Sequence, residues 1–227
     1  FNKSIYPLMI RNIIFDFDGV LVDSEKLVAS AFCKYLKNFN INFTEKEFSA
    51  YAGKKTIQVI EDLSNKFQIE NKNKFFEDIM NMADEIFKNE LTAIKDVKTF
   101  LKNTQFNCFI GSNSVKKRII FGLKKVGLDN FFAEDKIFSF DMVQNPKPAP
   151  DIYLKAINSN SLNKNETIIL EDSYVGVQAG VAAKVKVLGI TAGGHWYENR
   201  STQELLDAGA YKVASNYKIA LLEIEKL

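Results

Sequence analysis

Asp16 and Asp18 stand two residues apart, directly after the short apolar run Ile13-Ile14-Phe15, and Gly19 follows them. A branched and aromatic run ending at a glycine turn reads as a buried strand. In an open parallel sheet, ligands bind beyond the carboxyl ends of the strands, so both carboxylates fall where a ligand would sit. Gly19 permits a sharp turn that brings them toward one small volume. Three further segments end in groups of complementary chemistry. Phe109-Ile110-Gly111-Ser112-Asn113 delivers a hydroxyl and free backbone amides, and Asn145-Pro146-Lys147-Pro148 holds an ammonium on stiff chain. Ile168-Ile169-Leu170-Glu171-Asp172-Ser173 closes on two adjacent acids. Clustered carboxylates repel unless a cation joins them, and hard divalent cations take oxygen ligands. A cation, a lysine and a hydroxyl together suit an anionic phosphoryl group.

These groups need a frame. Apolar runs recur at Phe106–Gly111, Lys136–Phe138, Thr167–Leu170 and Val185–Ile190. Between them lie helical spacings: Val115, Ile119, Leu123 and Val126, then Ile152, Ala156 and Ile157 after Pro150, a residue suited to a first helical turn. Strands alternating with helices predict an α/β fold, a parallel sheet covered on both faces. From Glu25 to Leu91 the pattern is helical throughout. Val28, Ala31, Phe32, Tyr35, Leu36 and Phe39 form one stripe, Ile60, Leu63 and Phe67 a second, and Phe76, Ile79, Ala83, Ile86 and Phe87 a third. The expected organisation is a core from residues 1–23 and 92–227 with an all-helical insert at 24–91. Asn65–Lys74 reads as a polar connection between helices.

Composition narrows the function classes. Thirty Lys+Arg against 28 Asp+Glu leave a charge of +2, too balanced for a general nucleic-acid or membrane-surface binder. No apolar run reaches the roughly 18 to 20 residues that span a bilayer. The cysteines, Cys33 and Cys108, lie far apart in apolar segments and are expected to be buried, free and unreactive, in a cytoplasmic protein. One histidine, His195, excludes chemistry that needs a histidine cluster. With Trp196 it follows Gly193-Gly194, and the pair reads as a surface loop. Phe1 is not an initiator, so residues are expected to be missing or added ahead of Met9.

Taken in order, the four chemical segments resemble the motifs of the haloacid-dehalogenase superfamily, over essentially the whole chain. Asp16-Phe17-Asp18-Gly19-Val20-Leu21-Val22-Asp23-Ser24 looks like the first motif, Ser112 the second, Lys147 the third and Glu171-Asp172 the fourth. The stretch Glu171-Asp172-Ser173-Tyr174-Val175-Gly176-Val177-Gln178-Ala179-Gly180 is similar to the subgroup of beta-phosphoglucomutase and sugar-phosphate phosphatases. The resemblance implies a Rossmann-like core and identifies the insert with that group's helical cap. It makes Asp16 the nucleophile and Asp18 the general acid and base. It places Mg²⁺ on Asp16, the Asp18 backbone carbonyl and Asp172, with Glu171 alongside. Ser112 and Lys147 would bind phosphoryl oxygens, helped by the Asn113 amide.

The resemblance also orders the alternatives. Branches acting on carbon esters lack a carboxylate at the place of Asp18, so its presence implies phosphate esters. The mutase carries a cap histidine ten residues beyond its acid; Val28 stands there in this chain and favours a phosphatase. A hexose-phosphate mutase and a non-catalytic phosphate-binding protein remain the alternatives. Ala52-Gly53-Lys54-Lys55-Thr56 matches the cap loop that reads the substrate, where Lys54 and Lys55 would meet a second anion. Ser112 as a helix cap, Lys147 as a surface lysine and Glu171 as a supporting group are the plainer readings of those residues. The expected partner is a small phosphate ester, with neither nucleic acid nor membrane, and the expected assembly a monomer or weak homodimer.

Overall fold

The computed structural model describes residues 9–51 and 56–227. Among the described residues the first element is strand β1 (Asn12–Phe15), followed by helices α1 (Ser24–Lys37), α2 (Glu45–Phe48), α3 (Thr56–Phe67), α4 (Lys72–Glu90) and α5 (Val97–Asn103). Strands and helices alternate from there: β2 (Asn107–Ser112), α6 (Lys116–Val126), β3 (Ile137–Ser139), α7 (Asp151–Ser159), β4 (Thr167–Glu171) and α8 (Tyr174–Ala182). The last elements are β5 (Lys186–Ile190), α9 (Gln203–Asp207), β6 (Lys212–Ala214) and α10 (Tyr217–Ile224). The strands form one parallel sheet in the order β3-β2-β1-β4-β5-β6. It is an α/β, Rossmann-like core.

Helices cover both faces of this sheet, which is why its strands read as apolar runs. Successive side chains of β1 point opposite ways. Ile13 and Phe15 face a core completed by Phe100 of α5, Leu123 of α6 and Tyr217 of α10. Ile14 faces the other core, with Ile152 of α7, Val177 of α8 and Leu205 of α9. Phe15 is fully buried and meets Phe100 and Phe132 edge-on, with ring centroids 6.1 and 5.9 Å away. β1 lies between β2 and β4, with Phe15 in register with Ile110 and Leu170. Sequence-distant chemistry is thereby brought to one edge.

The helices α1 to α4 enclose a separate apolar cluster that includes Phe32, Leu36, Ile60, Leu63, Phe75 and Ile79. Tyr35 stacks on Phe75 at 4.6 Å, and Phe32 meets the same ring at 5.9 Å. Two expected stripe positions shift. Phe39 lies beyond the end of α1 and is half exposed, and Phe75 is fully buried while Phe76 is only partly buried against the same cluster. Cys33 is half-buried and Cys108 buried. The Asn65–Lys74 stretch does connect two helices, and the Asn71 side chain caps the second by accepting from the Lys74 N–H at 3.0 Å. Strand β6 and helices α5, α9 and α10 escape the sequence reading because they are short; only Ala214 of β6 is buried. No described helix is long and apolar enough to cross a membrane.

Removing the Phe75 ring empties the centre of the helical cluster. Phe75→Ala should lower stability by about 3 to 5 kcal/mol. Urea denaturation checks the magnitude, and limited proteolysis should place the new cuts within the 24–90 stretch.

Candidate active site

The carboxyl ends of β1, β2 and β4 meet where the strand order reverses, and there the expected residues gather. A cavity of about 350 Å³ is lined by Asp16, Asp18, Ser112, Asn113, Lys147 and Asp172. Glu171 lies beneath it, fully buried. Lys54 and Lys55 fall outside the described residues.

Lys147 is no surface residue. Its Nζ donates to Asp16 Oδ1 at 2.7 Å and to Glu171 Oε1 at 2.6 Å, with its side chain 3% exposed. Burial works against the ammonium, yet Asp16 and Glu171 together hold its pKa above the usual lysine range. Glu171 accepts at every edge. Its Oε1 also takes the Tyr153 hydroxyl at 2.7 Å, and its Oε2 takes the amides of Asp172 and Ser173 and the Ser173 hydroxyl. The first turn of α8 makes room for this carboxylate only because position 176 has no side chain. A Cβ on Gly176 would lie 1.8 Å from Glu171 Oε1.

Asp18 is held differently. The Ser24 and Ser114 hydroxyls each donate to it at 2.6 Å, and Arg118 stands 3.6 Å away. Gly19 turns the chain there at φ +77°, and a Cβ on it would lie 1.9 Å from Asp172 Oδ2. Only glycine fits both the angle and the space. Ser112 ends β2 and accepts the Ser114 amide at 3.0 Å; it does not cap α6, which starts at Lys116. Asn113 adds a clamp that sequence did not suggest. Its Oδ1 accepts the Lys147 amide at 2.9 Å and its Nδ2 donates to the Lys147 carbonyl at 3.3 Å, tying two loops together.

The structure corrects the reading of His195. It is buried, it lines the cavity, and its Nε2 lies 2.9 Å from Asp172 Oδ2. Burial brings the imidazole down to about 4, so the ring is neutral near pH 7. Glu25 and Arg200 reach the same cavity. The Gly193-Gly194 pair was the signal available: it lets the loop after β5 fold back over β1, where the Gly194 amide donates to Asp23 at 2.9 Å.

Asp16, Glu171 and Asp172 each offer an oxygen within 4.8 Å of the others, all buried. Burial and the neighbouring carboxylates push Asp16 and Asp172 well above the ordinary range, although Lys147 pulls both down. One lysine cannot balance so many buried acids. The Asp172 carboxylate faces the cavity, with His195 Nε2 against its Oδ2. Hard oxygen donors with excess negative charge fit a divalent cation such as Mg²⁺.

Comparisons with known proteins show what the chain is similar to. The sequence pattern of a family described as haloacid dehalogenase-like hydrolase matches residues 13–190. A phosphorylated carbohydrates phosphatase of Thermotoga maritima is 26% identical, over 87% of this chain and 91% of its own. A 6-phosphogluconate phosphatase of Escherichia coli is 27% identical, over 82% of this chain and 85% of its own. Among solved structures, a haloacid dehalogenase-like protein of unknown function from Agrobacterium tumefaciens superposes with a TM-score of 0.85. It is 29% identical, covering 95% of this chain and 97% of that one.

Tyr153 holds Glu171 without reaching the cavity. Tyr153→Phe removes one donor from a buried charge and should cost about 1.5 to 3 kcal/mol of stability. Chemical denaturation of the variant beside the parent protein reads this directly.

Proposed function

The chain belongs to the haloacid dehalogenase-like hydrolase family, and we propose that it hydrolyses a small phosphorylated sugar or sugar acid through an aspartyl-phosphate on Asp16. It is a phosphoric monoester hydrolase. The observation that carries the proposal is the pairing at the end of β1. One carboxylate, Asp16, is fixed by a buried lysine, and a second, Asp18, is fixed two residues on by two hydroxyls.

On this reading Lys147, Ser112 and the Asn113 amide bind the phosphoryl oxygens. Asp16 attacks phosphorus as the ester oxygen leaves, and Asp18 gives that oxygen its proton. Asp18 then takes a proton from the water that opens the acyl phosphate. Asp16, the Asp18 backbone carbonyl and Asp172 would hold Mg²⁺, with Glu171 alongside. When bound, the ion supplies positive charge that screens the nucleophile from the anionic substrate. Residues 24–91 act as a cap on the core formed by 1–23 and 92–227, and exclude water from the bound ester. Val28 lines the space beside Glu25 and offers no proton-transferring group, which supports hydrolysis over mutase chemistry. The partner is a small metabolite and the setting the cytoplasm, with the protein a monomer or weak homodimer.

A panel of sugar, sugar-acid and aryl phosphates, assayed with Mg²⁺ and with chelator, tests the function. Phosphate release should depend on the metal, and Asp16→Asn should lower it by at least about 10³-fold. Release that survives in Asp16→Asn would remove that residue from the nucleophile role. Asp18→Asn should separate the substrates. Aryl phosphates, whose leaving groups need little protonation, should lose about tenfold, and sugar phosphates about 10² to 10⁴-fold. Equal losses on both classes would count against Asp18 as the acid.

A further inference from the structure

A second cavity of about 140 Å³ adjoins the first, and Glu25, His195 and Arg200 stand in the walls of both. We propose that the loop after β5 forms a subsite there for a carboxylate on the leaving portion of the substrate, with Arg200 as its reader. This deepens the phosphatase reading and rests on it.

Arg200 is built to present a fixed face. Its side chain is only 11% exposed, and its guanidinium lies 3.9 Å from the centre of the Trp196 ring. Nε and Nη2 both donate to Glu204 Oε1, at 3.1 and 2.5 Å. One oxygen thus takes two donors from a group that carries five, and Nη1 donates to no described residue. A planar cation held on one face and one edge keeps its orientation while donors remain for a ligand, the geometry that suits bidentate carboxylate binding. An ordinary surface pair along a helix would leave the arginine largely in water.

A second observation points the same way. The Tyr197 hydroxyl and His195 Nδ1 are buried and have no hydrogen-bond partner among the described residues. Tyr197 lines the second cavity beside Arg200. Buried polar atoms are normally paired, so the unpaired Tyr197 hydroxyl beside the cavity marks a place for a polar ligand. A cation next to a hydroxyl and an imidazole suits a hydroxylated acid.

The test uses matched pairs that differ only in the acid. 3-Phosphoglycerate is compared with glycerol 3-phosphate, and 6-phosphogluconate with sorbitol 6-phosphate, by kcat/KM for the parent and two variants. Arg200→Met should reduce the acid-to-alcohol preference by about 10- to 100-fold. Arg200→Lys should restore only part of it, since an ammonium lacks the fork. If Arg200→Met does not fold, the Lys variant decides by the same ratio. An unchanged ratio in the folded variants overturns the subsite and leaves the phosphatase reading standing. No release from any of the four compounds by the parent protein, while aryl phosphates are also untouched, overturns the phosphatase reading itself and the subsite with it.

Discussion

A lysine ammonium buried between two carboxylates is the interaction on which the rest of this structure depends. Lys147 reaches Asp16 and Glu171 at once, and none of the three has appreciable access to water. Removing the lysine leaves two carboxylates uncompensated in a poorly solvated place, a far larger penalty than losing an exposed pair. Much of the surrounding architecture follows from that. Tyr153 and the start of α8 saturate Glu171, the Asn113 side chain pins the Lys147 backbone, and Gly176 yields its side-chain space to a carboxylate. The parallel sheet supplies the remaining requirement, because β1 flanked by β2 and β4 delivers all of these groups from one direction.

The same electrostatics make the site receptive. Asp16 and Asp172 are buried among acids that raise their affinity for a proton, and whatever positive charge replaces that proton is bound for the same reason. Asp18 stands apart from this competition, held by the Ser24 and Ser114 hydroxyls and by Arg118. Two carboxylates separated by one residue therefore work in unlike surroundings, the condition under which one can attack while the other handles protons.

The strands and the acids at their ends were legible because they obey a local rule: burial on both faces produces apolar runs, and the chemistry begins where a run stops. Asp16, Ser112 and Asp172 each sit at such a boundary. The loop after β5 obeys no local rule. His195 meets Asp172 and Arg200 meets Trp196 through a fold-back that leaves only a glycine pair in the sequence. The Asn113 clamp was equally hidden, since its partner lies 34 residues away on an irregular loop. Adjacent aromatics posed a subtler problem. Phe75 and Phe76 differ by about 100° around the helix, and a stripe that accepts either cannot say which one enters the core.

Placing the nucleophile on the central strand has a consequence for how the molecule comes into being. β1 is made before every strand it pairs with, and Asn12 bonds to Asn107, 95 residues later, and to Thr167, 155 residues later. The helices of the insert, by contrast, pack on one another within residues 24–90, all of which are made before β2. Contacts of long sequence separation form slowly, because loop closure must be accomplished before they are rewarded. The insert can therefore acquire its structure during synthesis while Asp16 still waits on an unpaired, apolar strand. Until β2 and β4 arrive to cover it, that strand has sticky edges, and until Lys147 is made the carboxylate that ends it has no lysine.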